Sequence, residues 1–339
     1  MDNQNLLKEI IFKNRIPFHA QLMLTNKCNF QCFYCYMEPL KSRNTDLALE
    51  TWKNIVDILK SNKCVSVTLT GGEPLAYKYF EELYTYIYNQ NLKITIITNL
   101  SLINKYISLF SEMPPENLVG TLYGTNNETY RKFCKVDSGW DIVKNNIIKL
   151  SNCGINFRLQ SVLTSYNFSC LNEMVDFTKF YNIPYHAYRT IGCDVDGGDE
   201  TLKCSIDEEQ FIKSYKILDD YNSLRDSMDK YECLWGEGYK ECGAGISSCY
   251  IDYKGYMFLC NQQAEERISL LDKGFDACWE YMYTLRKRYI EKETPCSDCK
   301  FHALCGKCAP QIKKIENSKD YFRNLCTRTS HLIDVMEKS

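Results

Sequence analysis

The chain has 339 residues, 45% of them hydrophobic, and a formal net charge of −2. That is enough chain to bury a large core in one or two domains, and too little positive charge to hold nucleic acid by its phosphates. No apolar run approaches the roughly 20 residues that span a bilayer, and the N-terminal MDNQNLLKEIIFKNR lacks the zones of a signal peptide, so a cytoplasmic location and no membrane partner are expected.

Residues 1–17 read as a helical segment. From 18 to 200 strands and helices alternate. The predicted strands are FHAQLMLT (18–25), CVSVTLT (64–70), LKITIIT (92–98), NLVGTLY (117–123), INFRLQSVLT (155–164) and PYHAYRTI (184–191), all rich in β-branched or aromatic residues. Helical stretches lie between them at 47–61, 77–90, 101–112, 139–152 and 168–181. Six strands interleaved with helices predict an α/β fold with a parallel sheet and right-handed crossovers, whose chemistry sits at the C-terminal ends of the strands. A glycine- and acid-rich break, CDVDGGDETL (193–202), leads into a bridging helical segment at 201–241 and a last domain at 242–339, where the strand–helix rhythm is lost.

Cysteine is the outlier, with 19 residues. An odd number without a secretion signal points to metal ligands or redox groups rather than disulfides. They concentrate at 28–35, 242–260 and 296–326. In Cys28-Asn-Phe-Gln-Cys32-Phe-Tyr-Cys35, three thiols following the first strand can wrap an iron–sulfur cluster, although the same spacing also marks one face of a buried helix. Thr70-Gly71-Gly72-Glu73-Pro74 ends the second strand. Its paired glycines allow a backbone to approach a ligand, and Glu73 can accept hydrogen bonds from an ammonium group. Read alone, the motif is a turn with a solvated acid.

Together the two motifs resemble the radical S-adenosylmethionine (SAM) superfamily, marked by CX3CXΦC after the first strand, with Tyr34 as the aromatic Φ, and by a GGEP-type motif ending the second. The resemblance covers residues 18 to about 191 and implies a partial (β/α)6 barrel. It implies that Cys28, Cys32 and Cys35 bind three irons of a 4Fe–4S cluster, with the fourth iron open to the amino and carboxylate groups of SAM. One electron then cleaves SAM to methionine and a 5′-deoxyadenosyl radical, which abstracts a substrate hydrogen. The cofactor-binding positions so implied are Tyr34, Gly71, Gly72, Glu73, Asn99 and Thr121. Asn99 stands in a turn where relatives often have Thr-Asn-Gly and this chain has Leu100 in place of the glycine. The arginine that related enzymes pair with the SAM carboxylate falls at Cys134, leaving Arg131 or Lys135 to substitute.

The later cysteines, taken alone, also suit a structural zinc site. Their order, Cys242, Cys249, Gly255, Cys260, Cys296, Cys299, Cys305, Cys308 and Cys326, resembles the SPASM extension of peptide-modifying radical SAM enzymes, except that Cys305 and Cys308 are separated by two residues where that pattern has three. The resemblance implies two auxiliary 4Fe–4S clusters, one on Cys242, Cys249, Cys260 and Cys308, the other on Cys296, Cys299, Cys305 and Cys326. Cys193 follows the sixth strand on the active-site side and is a candidate hydrogen donor to a substrate radical. Cysteines 64, 134, 153, 170, 204, 233 and 278 read as buried small residues or chance surface thiols.

SPASM enzymes mostly modify ribosomally made peptides or proteins, by thioether or carbon–carbon crosslinking, epimerisation or formylglycine formation. The YGTNNETYRKF stretch (123–133) resembles a segment common in such maturases, though its aromatics equally suit a core. The roughly 17 residues ahead of the first strand are too few for a leader-binding winged helix. A separate leader-binding protein, or direct reading by the barrel, is expected instead, together with an electron donor such as flavodoxin or ferredoxin. Anaerobic sulfatase maturases usually carry Asp after the cysteine matching Cys260; Asn261 follows here, and an amide is no base. A small-molecule dehydrogenase or epimerase, and a non-enzymatic zinc- or cluster-stabilised binding protein, are the remaining readings.

Overall fold

In a computed structural model the chain is described over residues 3–35, 46–192, 200–220, 242–291, 310 and 319–337. The first helix, α1 (Asn3–Lys13), leads into β1 (His19–Thr25), α2 (Leu49–Ser61), β2 (Ser66–Gly71), α3 (Phe80–Asn89), β3 (Lys93–Thr98), α4 (Ile107–Glu112), β4 (Asn117–Thr121), α5 (Asn127–Cys134), α6 (Gly139–Asn152), β5 (Phe157–Val162), α7 (Leu171–Phe180) and β6 (Tyr185–Tyr188). All six strands fall on the predicted segments and pair in parallel in the order β6-β5-β4-β3-β2-β1. The strands bury alternate side chains such as Val67, Leu69, Ile94, Ile96, Leu118 and Leu159 under the covering helices, while polar residues occupy many of the positions between. Trp52, Ile55, Val56 and Leu59 of α2 and Phe80, Leu83, Tyr84 and Ile87 of α3 are sealed against it.

Three features depart from expectation. Helix α5 was not predicted, because its sequence NETYRKFC is mostly polar. Its ends specify it instead: Asn126 caps the N-terminus through the Thr129 N–H, and Lys135 ends it in the left-handed conformation at φ 60°. Predicted helix 101–112 is shorter, with a 3-10 turn at Ile103–Lys105 preceding α4.

The third departure follows Cys242. Strands β7 (Ser248–Ile251), β8 (Tyr256–Cys260) and β9 (Gln263–Ser269) extend the same sheet. β7 lies parallel to β1, with Ala20 opposite Cys249, and β8 and β9 turn back antiparallel. The open edge of β1 is thereby covered. Helix α8 (Glu208–Ile217) belongs to the expected bridging segment; α9 (Phe275–Tyr289) and α10 (Lys319–Glu337) follow the strands. Cys249, Ile251, Met257, Leu259, Cys278, Met282 and Leu285 join the barrel's core, so residues 242–290 have more apolar packing than their sequence suggested. Arg328 of α10 lies over the Phe211 ring of α8 at 4.6 Å. Among the described residues no helix is long and apolar enough to cross a membrane.

Candidate functional site

The loop after β1 carries Cys28, Cys32 and Cys35 without helical structure, which disposes of the helix-face reading. Phe30 anchors it, 5% exposed, with Tyr123 at 5.9 Å and Tyr130 at 6.3 Å. The Gln31 N–H donates to the Cys134 carbonyl at 2.9 Å and the Phe33 N–H to that of Phe133 at 3.2 Å. The last carbonyls of α5, which lack intrahelical partners, therefore hold the cysteine loop. Phe33 and Tyr34 pack edge-on against Phe133 at 5.0 and 4.9 Å. The aromatics of the YGTNNETYRKF stretch thus form the wall behind this loop. Cys28 and Cys35 are exposed and Cys32 is half-buried.

The glycine motif meets the loop backbone to backbone. Gly72 N–H donates to Thr25 O and Glu73 N–H to Lys27 O, each at 2.8 Å. Gly71 has φ +135°, and a Cβ on it would stand 2.4 Å from Thr25 O; one on Gly72 would stand 2.2 Å from Lys27 O. The close approach anticipated for a ligand is here made to the cysteine loop itself. A Gly72→Ala substitution is expected to cost about 1–3 kcal/mol, because the obstructing atoms are backbone and the loop must move. Thermal unfolding measures that loss, and lower iron retention on reconstitution reports the displaced Cys28.

Glu73 is not a solvated acid. It is 1% exposed and accepts three internal hydrogen bonds, from Leu75 N at 3.1 Å, Thr98 Oγ1 at 2.7 Å and Asn99 N at 2.7 Å. Burial pushes its carboxyl up to about 7 against those donors. It ties the end of β2 to the end of β3. Asn99 continues the connection: Nδ2 donates to Asn29 Oδ1 at 3.0 Å and points to Cys28 Sγ at 3.8 Å. Leu100 takes the glycine's place with φ +65°, and its side chain fills the space over Gly120, where a Cβ would lie 2.3 Å from Leu100 Cδ1. Burying this side chain offsets the roughly 1–2 kcal/mol cost of its left-handed backbone. Thr121 ends β4, half-buried, at the same end of the parallel sheet as Asn99.

Arg131 does not face the site: it is exposed and pairs with Asp137 at 2.6 Å. Lys135 is the left-handed C-cap of α5. Cys134, fully buried, has its sulfur 3.6 Å from that of Cys32. A hydrogen bond from Cys134 pulls the Cys32 thiol below its usual range against the burial that raises it, whereas burial, with Cys32 alongside, raises Cys134.

The C-terminal cysteines are partly in view. Cys242 and Cys260 are half-buried, and Cys326 is exposed on α10. Cys249 lies on the core face of β7, fully buried, and burial followed by neighbouring Cys64 and Cys278 raises its pKa. Cys193, Cys296, Cys299, Cys305 and Cys308 lie outside the described residues. Arg286 belongs to no sequence motif. It is 1% exposed, pairs with Glu291 at 2.8 Å, and donates to the carbonyls of Cys242 and Ala244, so it fixes the Cys242 loop.

Among the described residues no three His, Cys, Asp or Glu side chains converge as metal ligands do. The donor chemistry of the first loop nevertheless fits an iron–sulfur cluster. Three soft thiols share one non-helical loop, and Phe30 N at 3.4 Å and Asn99 Nδ2 aim N–H groups at Cys28. Such donors stabilise thiolate charge.

Residues 22–178 match the radical SAM superfamily. That match runs from β1 into α7, the part of the chain that carries the cysteine loop and the glycine motif. Over 95% of its length it is 24% identical to AlbA, the antilisterial bacteriocin subtilosin biosynthesis protein of Bacillus subtilis (strain 168), spanning 74% of that protein. A stretch of 103 residues, 30% of this chain, is 38% identical to the S-adenosylmethionine-dependent nucleotide dehydratase of Selenomonas ruminantium and spans 35% of it. The solved structure of Streptococcus suis SuiB bound to precursor peptide SuiA matches with a TM-score of 0.68 at 18% identity, covering 91% of this chain and 78% of that one. SuiB is also solved bound to S-adenosylmethionine. The match of residues 22–178 to an enzyme superfamily counts against the reading as a non-enzymatic binding protein.

Proposed function

We propose that the chain modifies a ribosomally made peptide or protein by radical chemistry, with Cys28, Cys32 and Cys35 holding a 4Fe–4S cluster. When bound, the cluster supplies the electron that cleaves SAM, and the resulting radical abstracts a substrate hydrogen. The chain's own groups position the reactants. Glu73 and Asn99 brace the cysteine loop from β2 and β3, Thr121 stands at the end of β4 for the nucleoside, and the aromatic wall excludes water behind the thiols. The cysteines of 242–326 carry auxiliary clusters, and Cys193 supplies a hydrogen atom to the substrate radical. A precursor peptide or protein, a leader-binding protein and a flavodoxin- or ferredoxin-type donor are the proposed partners.

One observation carries the peptide reading over a small-molecule one. The likeness to a bacteriocin biosynthesis protein covers 95% of the chain, whereas that to a nucleotide dehydratase covers 30%. The expected reaction is a crosslink or an epimerisation; Asn261, an amide where sulfatase maturases usually place Asp, counts against formylglycine formation.

Anaerobically reconstituted chain is expected to hold about twelve irons, about four for each cluster, and to form 5′-deoxyadenosine on reduction. A chemical iron and sulfide assay gives the count, and about four irons with no more would remove the auxiliary clusters. Mass spectrometry of a co-expressed precursor peptide names the reaction: no net mass change for epimerisation, loss of two hydrogens for a crosslink. An unmodified peptide alongside turnover of a small molecule would overturn the peptide assignment.

A further inference from the structure

Cys134 and Asn99 approach the loop's sulfurs from outside it, 3.6 Å to Cys32 and 3.8 Å to Cys28, and the Tyr123 side chain also hydrogen-bonds to Cys32. The Asn99 amide is oriented by its surroundings. Its Oδ1 accepts from Ser101 N at 2.9 Å and Ser101 Oγ at 2.6 Å, so the oxygen must face Ser101 and Nδ2 must face the loop. Of the two Nδ2 hydrogens, one reaches Asn29 Oδ1 and the other is directed at Cys28. Cys134 is placed just as firmly. It ends α5, is fully buried, and its own carbonyl accepts from Gln31 within the loop. Once Cys32 gives up its proton to become a ligand, Cys134 is the only partner of the two still carrying an S–H.

We propose that Cys134 and Asn99 are positioning residues of the SAM-binding cluster, donating to the Cys32 and Cys28 sulfurs and raising the cluster's reduction potential. The reasoning is electrostatic. Reduction adds an electron whose charge spreads onto the thiolate sulfurs, so donors aimed at those sulfurs stabilise the reduced form more than the oxidised one. Both donors act on thiolates of protein-ligated irons and leave the SAM-facing position untouched. The inference rests on the assignment of Cys28, Cys32 and Cys35 as ligands.

The test is a redox titration of the full, anaerobically reconstituted chain, following the electron paramagnetic resonance signal that changes when SAM is added. Cys134→Val, similar in volume but without a donor, is expected to move the midpoint to more negative potential with iron content unchanged. Cys134→Ser, which keeps a donor, returns it toward the native value. Asn99→Ala moves it in the same direction, and the double variant shows the sum of the two shifts, because different sulfurs are involved. If Cys134→Val does not retain iron, Cys134→Ala serves in the same comparison with Cys134→Ser. Equal midpoints for the native chain and the donor-less variant, or for the Val (or Ala) and Ser variants, would overturn the proposal. A native chain that loads no SAM-responsive cluster would instead defeat the ligand assignment itself, so the two failures are distinct.

Discussion

Replacing Cys28, Cys32 and Cys35 together with Ala is expected to reduce 5′-deoxyadenosine formation to the uncatalysed background while leaving the fold standing. The two halves of this expectation have separate physical grounds. The thiols are the proposed ligands of the one cluster that meets SAM, so their removal takes away about four of about twelve irons and the only route for the electron. Stability is another matter. Cys28 and Cys35 are exposed, and the loop is held by other groups: the Phe30 ring, the Gln31 and Phe33 N–H groups on the carbonyls of α5, and the glycine motif. Substitutions at these two exposed positions usually change stability by no more than about 0.5 kcal/mol each, and the half-buried Cys32 adds about 1 kcal/mol. The thermal midpoint of the cluster-free variant should therefore lie close to that of the cluster-free native chain. Retained SAM cleavage by the triple variant would sink the catalytic assignment. A collapse in stability would instead return these cysteines to the role of packing residues.

The cysteine loop was legible in the sequence because its information is local: three thiols, their spacing and a preceding strand. The six parallel strands were legible for a related reason, since buried strands such as KITIIT are runs of β-branched residues bounded by turns. What stayed hidden depends on partners distant in the chain. Glu73 looks like a turn acid until Thr98 and Asn99 arrive from the end of β3. Gly71 and Gly72 look ready for a ligand until the backbone of Thr25–Lys27 occupies the space above them. Strands β7 to β9 are short, and β9 (QAEERIS) is largely polar, so only the open edge of β1 reveals why they form. Arg286 carries no motif at all; its importance comes from two carbonyls more than forty residues away. Departures from the family pattern proved informative. Leu100 for glycine is matched by Gly120 beneath it, and the cysteine aligned with the SAM-pairing arginine lies against a proposed ligand.

Glu73→Gln is expected to destabilise the chain by about 1–3 kcal/mol, and by an amount that depends on pH. The carboxyl group is sealed from water and offers two oxygens to three donors. An amide offers one oxygen. Whichever way it is turned, its NH2 faces either the Asn99 N–H or the Leu75 N–H and Thr98 hydroxyl, and at least one buried backbone donor loses its acceptor. Glu73→Ala strips all three donors and should cost about 3 kcal/mol or more, at roughly 1–3 kcal/mol for each buried group left unpaired. The pH dependence follows from burial, which raises the carboxyl in the folded chain to about 7; in the unfolded chain a Glu titrates near 4.3. Between those values the folded state binds the proton more tightly, so the native chain's stability from this group is fully present below about 4.3 and is lost as pH rises through about 7. Gln does not titrate. The gap between native and Glu73→Gln chains should therefore be widest at acid pH and narrow toward neutrality, measured by denaturant unfolding of both cluster-free chains at matched pH. A gap that widened with rising pH would mean that the carboxylate is stabilised by its three donors more than burial penalises it, and would place the ionised form, ready for the SAM ammonium, across the whole physiological range.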